Sequence, residues 1–384
     1  APPWRTHVSE PSASASDGPT QEPRASTQVD FPCASCGAKL VWDPDADALA
    51  CAHCGSTIPV PRALGEIVER PLAEAGEAMR GLGIAKRALR CNNCGATVAL
   101  DEVATAKACV FCGSSNVLAQ DSNRNALRPE SLIPLDVGRA TVEKNFRAWI
   151  DSLWFRPSAL KRVRSFDAIG VYVPYWTFDA RVHSDWSADA GYYYYVTQMV
   201  PVMVNGRMTM RAQQVRKIRW VPAWGNRNDA YDDVLVHASK GVSEQLAAKL
   251  GTFDTRALVP YRPEYLAGWR AEEYQLDLEN GWHVARDFIV RAQEKRCSGD
   301  VPGDTQRELR VTNDIADVRW KHILLPIWSL NYTYQGKPYA VLVHGQTGKV
   351  HGDAPLSWLK ILALIFALLA GLGFVALLAL LAER

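Results

Sequence analysis

Eight of the nine cysteines fall into two copies of one spacing. Cys33, Cys36, Cys51 and Cys54 make the first copy, and Cys91, Cys94, Cys109 and Cys112 the second. In each, two C-x-x-C pairs are separated by fourteen residues. A C-x-x-C turn aims two thiolates at one point, and two such turns close a tetrahedron of soft donors, the coordination zinc prefers. A glycine follows every pair (Gly37, Gly55, Gly95, Gly113), which suits a tight knuckle whose backbone N–H groups turn back towards sulfur. Disulfide pairing is the alternative; fourfold ligand spacing in a chain with no other secretory feature argues against it. The spacing predicts two zinc ribbons, at residues 31–60 and 91–116, each holding one structural Zn2+.

Length allows two or three domains and a full hydrophobic core. The formal charge of +2 counts cysteines as neutral; two four-thiolate zinc sites bring the metallated chain to about −2. Net charge therefore says nothing about nucleic acid. From Arg139 to Arg219 thirteen Lys/Arg face six Asp/Glu, and from Trp220 to Asp300 the balance is ten to thirteen. A basic first half facing an anionic surface competes here with a plain solvated face. The thirteen tryptophans are expected mainly in the core or on sheet faces.

From Ile361 to Ala382 the chain carries no charge and is mostly Leu, Ala, Ile, Phe and Val. A helix of that length spans roughly 33 Å, enough for the hydrocarbon core of a bilayer. Trp358 and Lys360 stand where an interfacial aromatic and an inside-facing cation belong. Residues 357–384 are thus expected to be a transmembrane tail anchor. Thiolate-bound zinc favours a reducing compartment, so the bulk of the chain is expected in the cytosol, on a bacterial cytoplasmic membrane crossed once. Residues 1–30, rich in Ser, Pro, Ala, Thr and Glu, read as a disordered tail without a signal-peptide core.

Between these landmarks, residues 61–90 read as a helical connector broken near Gly81 and Gly83, and 117–138 as a linker. Val142, Phe146, Trp149, Ile150 and Leu153 share one face of a helix over Arg139–Phe155, ended by Pro157. Residues 139–356 then read as an aromatic-rich, mostly antiparallel sheet with helices near Val242–Leu250 (Gly251 as cap) and Trp282–Lys295. Asn205-Gly206 and Gln335-Gly336 mark hairpins. Three hydrophobic-Pro-x-Trp elements end in Trp176, Trp224 and Trp328; because proline cannot donate to a ladder, they are expected to open strands or lie on edges, with their aromatics on a common core. The fold class is α+β: two small four-cysteine zinc ribbons, a mostly antiparallel β domain with helices, and one C-terminal transmembrane helix.

In order and wording, several segments resemble a known family. They are the two C-x-x-C-G…C-x-x-C-G units, Leu132-Ile133-Pro134-Leu135, Trp154-Phe155-Arg156-Pro157, the run from Gly170 to Asp179, Leu324-Leu325-Pro326-Ile327-Trp328, and Gly345-Gln346-Thr347-Gly348-Lys349-Val350 leading to Gly352 and Pro355. Over about residues 31–360 the chain resembles the bacterial membrane-anchored tandem zinc-ribbon proteins, often labelled transcription-factor-type zinc ribbons or primosomal helicase-like. The resemblance implies partners among SPFH/flotillin-like and phage-shock-type membrane-stress proteins.

The helicase label fails on the residues. A phosphate-cradling motor needs G-x-x-x-x-G-K-[ST], and Gly345–Val350 has two residues too few between its glycines and Val350 where a hydroxyl belongs. It reads as a hairpin turn. His183-Ser184-Asp185 reads as an exposed polar run, and Cys297, with no histidine beside it, as a plain thiol. Closed four-cysteine sites leave no coordination position for a substrate water, so the chain is expected to be no enzyme and to take no small-molecule substrate. Between Phe31 and Pro61 stand one Lys, no Arg and three Asp, poor equipment for phosphates. A membrane-tethered scaffold whose ribbons dock proteins is the expectation, and a membrane-associated nucleic-acid binder the alternative.

Overall fold

The computed structural model describes residues 31–382 apart from 63–64, 66, 79, 83–85, 102–107, 122, 124–125, 163–165 and 205–206; the expected N-terminal tail lies outside them. Strands β1 (Val41–Asp43), β2 (Ala48–Ala50) and β3 (Thr57–Pro59) form a small antiparallel sheet. The remaining described strands belong to one large, mostly antiparallel sheet. Before helix α1 (Arg139–Ser152) come β4 (Arg70–Pro71), β5 (Lys86–Cys91), β6 (Thr97–Asp101), β7 (Val117–Asp121) and β8 (Ser131–Leu132). After it run β9 (Asp167–Val204), β10 (Arg207–His237), α2 (Glu244–Leu250), β11 (Val259–Pro260) and β12 (Arg270–Glu272). The chain closes with α3 (Leu278–Asp300), β13 (Thr305–Tyr334), β14 (Lys337–His344), β15 (Val350–Gly352) and α4 (Trp358–Ala382). The molecule is α+β.

β9, 38 residues long, is flanked by β10 and β13 and sets the long dimension. At about 3.3 Å per residue it extends about 125 Å. Near its start both sheet faces are buried: Tyr172, Trp176, Phe178 and Trp328 on one, Val171, Val173, Ile323, Leu325 and Ile327 on the other. Further on, α3 covers one face only, laying Leu278, Gly281, Ala285, Ile289, Gln293 and Cys297 over Ala180, Val182 and Tyr231. β13 reaches no further than Gly191. Beyond that, β9 and β10 continue as a bare two-stranded ribbon to Val204 opposite Arg207; the Asn205-Gly206 turn itself is outside the described residues.

The prolines mark changes of partner within long strands. β9 pairs with β12 up to Tyr172 and with β10 from Tyr175, and Pro174 falls between. β13 pairs with β8 up to Leu324 and with β14 from Ile327, with Pro326 between. A missing N–H costs least where the ladder on that side is interrupted. Pro222 lies on β10, whose described partner is β9 alone. Trp176 and Trp328 are buried as expected, but Trp224 is 77% exposed, because its face of the arm has nothing packed on it.

Three register shifts kink the blade, at Tyr231/Val234, Arg307/Arg310 and Ala316/Arg319, each with an acidic residue at positive φ (Asp233, Glu308, Asp317). Such bulges let the extra residue turn out of the ladder. Gln335 and Gly336, at φ 49 and 73, make the expected two-residue turn from Tyr334 to Lys337. Gly345–Lys349 is indeed a turn, between β14 and β15.

The connector expected to be helical is a correction. Among its described residues 61–90 hold β4, a short 3-10 turn at Leu72–Glu77 and most of β5. Pro71 and Gly76 interrupt any long helix there, and β5 finds ladder partners in β6 and β7. Helix α1 ends at Ser152 rather than Phe155, with Val142, Phe146 and Ile150 buried. α4, 25 residues or about 38 Å, is the one described helix long and apolar enough to cross a membrane, and its first eighteen residues bury nothing in the protein.

Candidate metal centres

Four knuckles share one backbone geometry. In each, the N–H of the first cysteine donates to the carbonyl five residues on (Cys33 to Ala38, Cys51 to Ser56, Cys91 to Ala96, Cys109 to Ser114) at 2.7–2.8 Å. The following glycine donates back to that cysteine's carbonyl at 2.8–3.0 Å. The glycines sit at φ 70 to 80, a left-handed conformation any Cβ would strain. This fold of the chain brings the two sulfurs of each C-x-x-C onto one side.

The knuckles pair as the spacing predicted. Cys33 Sγ lies 3.6 Å from Cys54 Sγ and Cys36 Sγ 3.5 Å from Cys51 Sγ; in the second set Cys91–Cys112 and Cys94–Cys109 are both 3.7 Å apart. Within each set all four sulfurs lie within 4.8 Å of one another. A disulfide needs about 2.05 Å, and all nine cysteines are free. A tetrahedron with metal–sulfur bonds of about 2.3 Å has edges of about 3.8 Å, so the donor geometry fits one metal ion per set.

The thiols are polarised unequally. Cys54 is held down at about 6, first by the Ser56 hydroxyl at 3.2 Å and then by the Ser56 backbone N–H. Cys109 is lowered to about 5, chiefly by its hydrogen bond with Cys94, whose own proton is correspondingly harder to remove. Four sulfurs at this distance cannot all ionise without a cation among them.

The two sets are anchored differently. In the first, Trp42 on β1 is buried, stands 4.7 Å edge-on to Tyr265, donates its backbone N–H to Ala267 and accepts at its carbonyl from Trp269 Nε1 at 2.7 Å. The small sheet is thus packed into the core by Trp42 together with Cys33, Leu40, Leu49, Cys51 and Val60, while Cys36 and Cys54 stay exposed. The second set is part of the large sheet: β5 and β6 pair with each other, and β6 continues through β12 to β9. Its knuckle is clamped from β13, where Asn331 Nδ2 and Ser329 Oγ both donate to the Val110 carbonyl. Phe111 lies against Gly241, where a Cβ would collide with its ring. Glu272 holds that loop by accepting from the Lys240 and Gly241 N–H groups at 3.1 and 2.9 Å and from Ser239 Oγ. Burial pushes the Glu272 carboxyl up to about 7.

A third group was not legible in the sequence. Asp179, Asp232 and Asp233 converge beside Lys321, whose Nζ sits 2.8 Å from both Glu69 and Asp233. The buried ammonium pairs with Asp233 and Glu69, and Asp179 Oδ1 accepts from the Asp233 N–H at the bulge, so the group pins the kink. Its members are scattered over 250 residues with no local pattern. His183 and Asp185 are exposed, as read, with Ser184 bonded inward to Asn313; Cys297 is buried on the inner face of α3.

Compared with known proteins, the chain is similar to YdjG of Bacillus subtilis (strain 168), described as an uncharacterized protein, with 26% identity over 355 residues, 91% of this chain and 96% of that one. No family model matches, and no solved structure matches significantly.

Proposed function

We propose that this protein is a zinc-braced, non-enzymatic scaffold tethered to a membrane, and that both cysteine sets hold structural Zn2+. The observation that carries the reading is that each closed set of four sulfurs is joined to the long sheet, one by packing its small sheet into the core and one by shared strands. Such a site stabilises shape and offers no coordination position for chemistry. The reading of α4 as an anchor is supported by Trp154 and Trp358, both exposed beside its start, and by Lys360 Nζ donating to the Trp154 carbonyl at 3.2 Å, an aromatic-and-cation collar suited to an interface. The bulk of the chain then faces the cytosol, where thiolates stay reduced. Protein partners, including the SPFH-type and membrane-stress proteins the sequence resemblance implies, dock on the blade and on the exposed first set.

Capture from detergent-solubilised membranes with the full chain as bait, read by mass spectrometry, tests this. A specific membrane-associated partner is expected, lost when Cys33 and Cys36 are replaced by serine. Binding of nucleic acid tighter than about 10⁻⁴ M at physiological salt with a steep salt slope, and no retained protein, would overturn it. Chain cut after Ser357 should leave the membrane fraction.

A further inference from the structure

The bare end of the β9–β10 ribbon has an ordered chemistry along its axis. Between Ala190 and Asn228 the sequence contains no Asp or Glu, and its cations are Arg207, Arg211, Arg216, Lys217, Arg219 and Arg227. Four of the five methionines of the chain lie in this stretch. The register places Met203 opposite Met208, Pro201 opposite Met210 and Met199 opposite Ala212; directly paired residues share a face, so these six form one apolar patch just inside the last pair, Val204 with Arg207. The four methionines are 57 to 75% exposed. Arg211, opposite Val200, stands among the methionines on the other face of the ribbon, and further inward come the exposed cations Arg216 and Lys217, paired with Tyr195 and Tyr194, with Arg216 4.3 Å over the Tyr193 ring. Among the described residues, Asp304 accepts from the Tyr193 N–H at this base.

A methionine face with arginines beside it, backed by a collar of cations and tyrosines, suits the boundary of an anionic bilayer, where apolar, phosphate and interfacial groups meet. We propose that the ribbon tip docks on the anionic surface of the same bilayer that α4 enters, making the arm a second membrane contact about 120 Å along the sheet from the anchor. This rests on α4 being an anchor. Two tips of like charge repel, which disfavours a second copy as the occupant. Penetration is shallow. A two-stranded ribbon has unpaired edge groups that hydrocarbon would penalise, so the contact stops at a depth of roughly 5–10 Å, about two or three residues per strand. Methionine suits such a contact because it adapts to an irregular surface. Tethering through α4 keeps the tip at high local concentration over that leaflet.

The full chain, reconstituted into liposomes of phosphatidylcholine alone or with about one-third phosphatidylglycerol, is exposed to trypsin from outside. Cleavage after Arg207, Arg211 and Arg216 is counted by mass spectrometry against the exposed Arg256 as internal control. In anionic liposomes tip cleavage is expected to fall at least about tenfold relative to neutral ones, and to recover at high salt. It should also recover in a variant carrying Met199→Ser, Met203→Ser, Met208→Ser and Met210→Ser. Equal cleavage in the two lipids overturns the proposal. So does protection that appears only when protein-free anionic vesicles are added (a second membrane), or protection in neutral lipid that grows with protein density (a second copy). Flotation with neutral liposomes after alkaline wash reports α4 separately: a chain that fails to float sinks the anchor, whereas one that floats with an unprotected tip sinks only the docking. Unchanged cleavage at Arg256 shows the methionine variant is folded, so its failure to restore cleavage also counts against the proposal.

Discussion

Trp42 and Glu272 show how single residues decide what each metal set is attached to. Trp42, with Cys33, Leu40, Leu49, Cys51 and Val60 around it, packs a small, separately paired sheet onto the core, whereas the second set shares its strands with the large sheet. Replacing Cys33 and Cys36 with serine should therefore release one of two metal equivalents and leave most of the cooperative unfolding intact. Replacing Cys91 and Cys94 should release the other and collapse the main transition, since metal binding there is coupled to sheet formation. Metal analysis alongside thermal unfolding followed by circular dichroism checks both. Glu272 gives a pH signature. Its carboxyl titrates at about 7 in the fold against 4.5 unfolded, because burial outweighs the donors it accepts. A raised acid contributes stability that is complete below about 4.5 and lost as pH climbs through about 7. His237 and His322, lowered by burial to about 4, act oppositely, stabilising above 6.5 and losing that contribution as pH falls towards 4. Comparing Glu272→Gln with the parent isolates the effect of Glu272. Relative to the parent, the variant should gain stability between pH 5 and 7.5, by at most about 3 kcal/mol, in denaturant titrations with zinc retained.

At the scale of elements, the α3–blade contact is the joint on which the arm depends. Gly281 lets the helix approach closely: a Cβ there would come within 2.8 Å of Trp176 Cδ1. Trp176 in turn donates Nε1 to the Leu276 carbonyl at 2.8 Å just ahead of the helix cap at Asp277. Trp176→Ala empties a fully buried site and should cost about 3–5 kcal/mol. Gly281→Val should separate helix and sheet and raise hydrogen exchange along Ala180–Trp186, leaving β14 and β15 protected. These two effects, read by denaturation and exchange mass spectrometry, belong to packing and should not alter metal content.

The whole molecule is an elongated blade whose support thins with distance: two covered faces, then one, then none. A compact chain of this length would have a radius of gyration of about 21 Å; a sheet arm of about 125 Å requires a clearly larger value. Small-angle scattering of the chain ending at Ser357 should give a radius well above that of the compact form and a maximum dimension beyond about 110 Å; a compact profile would contradict the three-strand extension. Exchange should likewise grade from slow around Trp328 to fast over residues 192–219.

The sequence by itself determined what depends on short-range pattern. Four C-x-x-C-G knuckles, the Gln335-Gly336 turn, the apolar stripe of α1, the helices at α2 and α3 and the uncharged run of α4 are each written within about twenty residues. Tertiary structure decided what depends on partners. The end of the stretch read as a helical connector became strand because β6 and β7 offered a ladder. Pro174 and Pro326 sit inside long strands because their neighbours change there. Trp176 is buried and Trp224 exposed from the same local wording, since α3 covers one face at one place only. Asp179, Asp233, Glu69 and Lys321 meet across distant segments that no local pattern connects. The physical reason is that knuckle, turn and helix are stabilised by contacts a few residues apart, whereas strand pairing and burial are settled by which distant segments arrive alongside.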